Sequence, residues 1–106
     1  MSELTRPELE KEIKNVIRTG KYILGSKRSL RAVLTGKAKA VIVASKILPT
    51  IEADVIHYAS LGRIPVIRYP GTSYDLGLVC GKQFPVSVMA ILDFGESRFA
   101  EVVASV

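Results

Sequence analysis

Apolar and polar positions alternate along this chain in two rhythms, one helical and one extended. Leu9, Ile13, Val16 and Ile17 recur at helical spacing and define a single apolar face. Ahead of them Thr5-x-x-Glu8 has the form of a capping box, Leu4 and Leu9 are spaced for a hydrophobic staple, and Gly20 stops the helix. Tyr22–Leu24 reads as a short strand. Ser26 is expected to cap a second helix whose inner face is Leu30, Val33 and Leu34, with Gly36 as its terminator. Ala40–Ala44 contains no polar residue, as a strand buried on both faces requires. After Pro49, Thr50 is expected to cap a third helix that turns Ile51, Val55, Tyr58 and Ala59 inward and ends at Gly62.

Pro65–Tyr69 is a further strand. Thr72-x-x-Asp75 caps a short fourth helix carrying Leu76, Val79 and Cys80 and closed by Gly81. Val86–Leu92 is almost wholly apolar and reads as a central strand, and Phe99–Val103 is expected to add an edge. Alternating helix and strand signals predict an α/β protein, a three-layer α/β/α sandwich on a mixed sheet of four or five strands. Residues 1–106 are read as a single domain, without repeats or linkers, and large enough for a core that needs no staples.

Composition narrows the chemistry. The lone Cys80 forms no internal disulfide, which suits a reducing compartment. One histidine and one cysteine cannot build a zinc or iron–sulfur site. The polar, acidic N-terminus lacks the form of a signal peptide, and no apolar stretch approaches the roughly 20 residues that span a bilayer. A soluble, intracellular chain is expected.

Charge changes the picture more. The formal net charge of +5 conceals a strong asymmetry. Nine basic residues and no acidic one lie between Ile13 and Ile51: Lys14, Arg18, Lys21, Lys27, Arg28, Arg31, Lys37, Lys39 and Lys46. Such segregation marks a face suited to a polyanion. In its middle, Tyr22-Ile23-Leu24-Gly25-Ser26-Lys27-Arg28 runs from a strand through a glycine turn into a helix start. A helix N-terminus favours anions, and a glycine there lets a ligand approach the main chain.

Rival chemistries fit less well. Gly20-x-x-x-x-Gly25 has P-loop spacing, but Ser26-Lys27 stands in the reverse of the required order, and no G-x-G-x-x-G occurs. His57 precedes an inward-facing tyrosine and reads as a surface or boundary residue. Cys80 lies on an apolar helix face and reads as core. Asp93 and Glu96 flank a Gly95 turn and make a weak carboxylate pair. No catalytic constellation stands out, and no cofactor or metal is expected. In Gly81-Lys82-Gln83-Phe84-Pro85, the phenylalanine can plug a sheet edge or offer a flat face to an unstacked base.

The ordered set Thr19-Gly20-Lys21, Leu24-Gly25-Ser26-Lys27, Lys39–Ala44, Tyr58-Ala59, Ile64-Pro65-Val66, Gly71-Thr72-Ser73, Leu76-Gly77, Gly81-Lys82 with Phe84, and Asp93–Arg98 resembles the archaeal and eukaryotic large-subunit ribosomal L-thirty-e family. That family belongs to a wider group of kink-turn RNA-binding proteins. The likeness runs from Thr19 to Arg98, and it implies an α/β/α sandwich that grips a sharp internal-loop bend in rRNA. Taken with the charge segregation, it leads to expected RNA contacts from Leu24, Gly25, Ser26, Lys27, Arg28, Lys46, Lys82 and Phe84. In it, Gly25 packs against the bent strand, Lys27 contacts base edges or phosphate, and Leu24 and Phe84 meet bases turned out of the stack. Lys46 stands where relatives often carry asparagine, exchanging a base-specific hydrogen bond for a phosphate contact. Ser45 stands where they often carry arginine or alanine.

Guide-particle relatives carry Asn-Glu where this chain has Lys27-Arg28, so the ribosomal branch is the better match. The expectation is a non-enzymatic rRNA-binding component of the large subunit, in the ribosome of the cytoplasm, with other ribosomal components as neighbours. Neither a membrane nor a small-molecule substrate is expected, and the free chain is expected to be a monomer. The alternatives are a kink-turn protein of another ribonucleoprotein or a regulator of its own transcript, a protein-interaction adaptor, and a small enzyme or nucleotide-binding module on a Rossmann-like sheet.

Overall fold

In a computed structural model, residues 5–99 are described, and they form four helices and four strands in strict alternation. The elements are α1 (Arg6–Thr19), β1 (Lys21–Leu24), α2 (Ser26–Leu34), β2 (Ala40–Val43), α3 (Pro49–Leu61), β3 (Val66–Arg68), α4 (Ser73–Val79) and β4 (Val88–Asp93). The sheet order is β1-β4-β2-β3. β4 runs antiparallel to both neighbours, Leu24 opposite Met89 and Val43 opposite Val88, while β2 and β3 are parallel with Val43 opposite Arg68. The sheet is mixed, as expected, and four-stranded. The expected edge strand at Phe99–Val103 lies outside the described residues except for Phe99, which is fully buried.

Strand alternation divides the core into two halves. Ala40, Ile42, Met89 and Ile91 face one side and pack with Leu9, Ile13, Val16 and Leu76 from α1 and α4. Val41, Val43, Val88 and Ala90 face the other and pack with Ala32, Val33 and Val55 from α2 and α3. Side chains alternate across a strand, so a run such as Ala40–Val43 must be apolar throughout to serve both layers.

Helix ends follow their chemistry with two corrections. Thr5 caps α1 by accepting the Glu8 N–H, and the Thr72–Asp75 capping box of α4 is complete in both directions. Ser26 does not cap α2: it is the first helical residue, and Gly25 takes the cap at φ 107° with no side-chain bond. The chain reverses there into a left-handed region that only a residue without Cβ enters freely. Thr50 does not cap α3 either. Leu48 holds that position and Pro49 opens the helix, its fixed φ already suited to a first turn.

Leu34, expected inside, is 62% exposed, and Ala32 with Ser29 takes the inward places of α2. β3 is shorter than Pro65–Tyr69. β4 begins at Val88 because the Val86 N–H donates to Ser73 O rather than to a strand.

Candidate nucleic-acid interface

The topology gathers four segments at one end of the sheet. β1, β2 and β3 finish there, and the antiparallel β4 starts there. The Gly25 N–H donates to Val88 O (3.0 Å), and the Ala44 N–H donates to Ser87 O (2.9 Å). The β1–α2 junction, the β2–α3 turn and the loop entering β4 thus meet around the Ser87–Val88 stretch.

Ser29 fixes α2 to this frame. Its side chain is fully buried, and its Oγ lies 3.3 Å from Ile23 O and 3.4 Å from Val88 O, while its N–H donates to Gly25 O (3.0 Å). A buried hydroxyl needs such partners. Sequence reasoning missed Ser29. Its one signal is a polar residue at a helical position that should face inward.

The expected residues fall as follows. Gly25, Ser26, Lys27 and Arg28 line one open cavity of about 500 Å³ together with Leu30 of α2 and Ile51 and Asp54 of α3. Space beside Gly25 is clear: a Cβ built there meets nothing within 4 Å. Lys27 and Arg28 also line a second groove of about 330 Å³ that continues along α2 past Arg31 and Thr35 to Lys37. Among the described residues, no carboxylate lies within ion-pair distance of Lys27, Arg28, Arg31 or Lys46.

Leu24 is half-buried and packs on the α1–α4 half of the core, which leaves only part of it free for a ligand. Lys46 is exposed in the turn after β2, and its φ of 58° is left-handed.

Phe84 projects from the loop before β4 and is 54% exposed, which a sheet plug would not be. Its carbonyl rests against Gly77 of α4 so closely that a Cβ at Gly77 would collide with it. Lys82 lies lower on the same loop, half-buried, with its N–H donating to Gly77 O (2.9 Å).

Groups that could carry reactions lie elsewhere. Cys80 is buried and its thiol is pushed up to about 11 by that burial, which disfavours the thiolate a nucleophile needs. His57 is exposed and stacks edge-on against Tyr58. Asp93 accepts the Gly95 N–H (2.9 Å), while the Glu96 N–H donates to Thr19 Oγ1 (3.0 Å), so this pair serves a turn. Among the described residues, no group of three or more histidine, cysteine or carboxylate side chains could hold a metal ion, and no helix is long and apolar enough to cross a membrane.

The sequence as a whole has known counterparts. The model of the Ribosomal protein L7Ae/L30e/S12e/Gadd45 family matches residues 7–101. The chain is 44% identical over 101 residues to the large ribosomal subunit protein eL30 of Sulfurisphaera tokodaii, covering 95% of this chain and 93% of that protein. It is 45% identical over 96 residues to eL30 of Methanocaldococcus jannaschii, covering 91% and 87%. The eL30B protein of Schizosaccharomyces pombe is 41% identical over 81 residues, covering 76% and 69%. These relatives are named as components of the large ribosomal subunit and none as an enzyme.

Proposed function

The chain belongs to the Ribosomal protein L7Ae/L30e/S12e/Gadd45 family, and on that footing we propose that it is a non-enzymatic protein of the large ribosomal subunit, in the cytoplasm, that grips a kink-turn-like bend in rRNA. One observation carries the reading. An open glycine notch, lined by Lys27 and Arg28, which make no ion pair with a carboxylate among the described residues, shares the end of the sheet with an exposed phenylalanine.

Each part has a role that its chemistry suits. Gly25 lets a bent ribose–phosphate strand approach the main chain, where a side chain would hold it off. The first N–H groups of α2 have no side-chain cap and point outward, and with Lys27 and Arg28 they suit phosphate oxygens. Phe84 offers a flat face to a base turned out of the stack, a common way of holding unstacked RNA. Leu24 adds an apolar edge. Lys46 contributes charge from the adjacent turn, and Lys82 does so from the foot of the Phe84 loop. Phosphate contacts supply most of the affinity in this scheme, and the few base contacts select the bend.

A titration at two salt concentrations tests this reading, using a kink-turn duplex and a straightened duplex of the same composition. Tighter binding to the bent RNA, weakening steeply with salt, is the expected result. Equal binding to both would remove the bend from the reading, and no binding to either would remove RNA.

A further inference from the structure

Two non-glycine residues among those described have positive φ: Lys46 at 58° and Arg63 at 55°. Arg63 follows the end of α3, where its N–H donates to Ser60 O and a left-handed residue is a usual way to leave a helix. Lys46 ends no helix. It lies in the turn between β2 and α3, exposed, with no carboxylate among the described residues in ion-pair reach. A long side chain adopts this backbone form only at some cost, so its surroundings must hold it there.

The holding group is Ser45. Its N–H donates to Gly71 O (2.9 Å) and its Oγ donates to Tyr69 O (3.0 Å). Both acceptors belong to the β3–α4 loop, which is itself clamped. The Tyr69 ring is 1% exposed, its O–H donates to Glu10 Oε2 (2.5 Å), and the Arg6 guanidinium lies 5.4 Å from the ring centroid. Gly71 is buried against that ring and Arg6, where no side chain would fit. A rigid loop anchored to α1 therefore presents two acceptors, and Ser45 spans them on the residue directly before Lys46.

We propose that Ser45 is a positioning residue for nucleic-acid binding: its hydroxyl locks the β2–α3 turn in the left-handed bend that places Lys46 against a phosphate of the bound RNA. The inference rests on the RNA-binding reading above. Among the described residues Lys46 has no ion-pair partner to justify its strained backbone, while Ser45 has two hydrogen bonds whose combined effect is to fix that backbone.

The experiment is a double-mutant cycle on a kink-turn RNA, with Ser45→Ala, Lys46→Ala and both together, and Ser45→Thr as the variant that keeps the hydroxyl. Ser45→Ala should weaken binding roughly two- to tenfold, the range for loss of one hydrogen bond. It should also lower the salt dependence in the same sense as Lys46→Ala. Ser45→Thr should bind like the parent, and Ser45→Ala should add nothing once Lys46 is alanine. Should Ser45→Ala fail to fold, Ser45→Cys, similar in size with a weak donor, gives the same comparison. An undiminished loss in the Lys46→Ala background, or no loss at all, overturns the positioning role while leaving RNA binding by the parent chain intact. A parent chain that binds no kink-turn RNA overturns this inference and the proposed function together.

Discussion

Helices α1 and α4 on one face of this sandwich and helix α2 on the other treat charge differently. On the α1–α4 side, carboxylates are matched. Glu10 meets Arg6 and the Tyr69 hydroxyl, Asp75 meets Arg6 and Thr72, and Glu12 is buried while accepting from Asn15 and the Arg98 N–H. Those hydrogen bonds hold the Glu10 and Asp75 carboxyls below the usual range, chiefly through Tyr69 and Thr72 respectively. On α2, Lys27, Arg28 and Arg31 stand exposed, and among the described residues no carboxylate lies within ion-pair distance of them. Isolated surface pairs contribute little to stability, so the absence of pairs on α2 costs the fold little. What it provides is charge that an outside polyanion can neutralise, releasing that polyanion's counterions. Helices α1 and α4 hold carboxylates in internal bonds, whereas α2 leaves its cations open to a partner, and the ion pair of its own layer, Glu52 with Arg68, joins α3 to β3.

Substitutions can break this contrast. The largest effect belongs to the shared core: Ile42→Ala should destabilise the protein by about 2–5 kcal/mol, measured by chemical denaturation, with RNA contacts unchanged in the folded fraction. Phe84→Ala should do the reverse, costing about 1–3 kcal/mol of RNA affinity by isothermal titration while leaving the melting temperature near the parent value. A comparable loss of stability would mean that the ring belongs to the core. Lys27→Ala should lower the slope of log affinity against log salt by about 0.9, the share of one phosphate contact. A slope that does not change would remove Lys27 from the interface.

The smallest effect belongs to the α1–α4 side, where Tyr69→Phe should cost about 0.5–1.5 kcal/mol of stability through the lost bond to Glu10. Burial, with the Glu10 bond next, raises the Tyr69 hydroxyl from 10.0 to about 12. A raised folded value means that the stabilising contribution is complete below pH 10 and is lost as pH climbs through about 12. The phenylalanine variant should lack that alkaline decline.

Much of this architecture can be read from local pattern, because burial on both faces forces runs such as Ala40–Val43 to be apolar throughout. The Thr72–Asp75 box is equally legible, since its bonds join residues three apart. Helix starts were harder: Ser26 and Thr50 have the right side chains, yet Gly25 and Pro49 decide the backbone through their own geometry. Leu34 fits a helical stripe in sequence, but α2 ends beside it and no neighbouring element covers it.

At the candidate interface, Leu24 through Arg28 are legible as one segment because they are contiguous. The partners of Ser45 were not, since Tyr69 and Gly71 reach it only through the parallel pairing of β2 with β3. Ser29 was hidden for a similar reason, as the acceptor at Val88 lies 59 residues away in sequence.

The contrast between α2 and the α1–α4 side is tested most directly by following backbone amide signals of the labelled protein by NMR while a kink-turn RNA is added. Large shifts at Gly25, Ser26, Lys27, Lys46 and Phe84 are the predicted result, with Lys11 and Lys14 unmoved because the fold puts α1, and with it part of the acid-free stretch, on the opposite side of the sheet from α2. Shifts concentrated on α1 and α4 with Gly25 silent would contradict it.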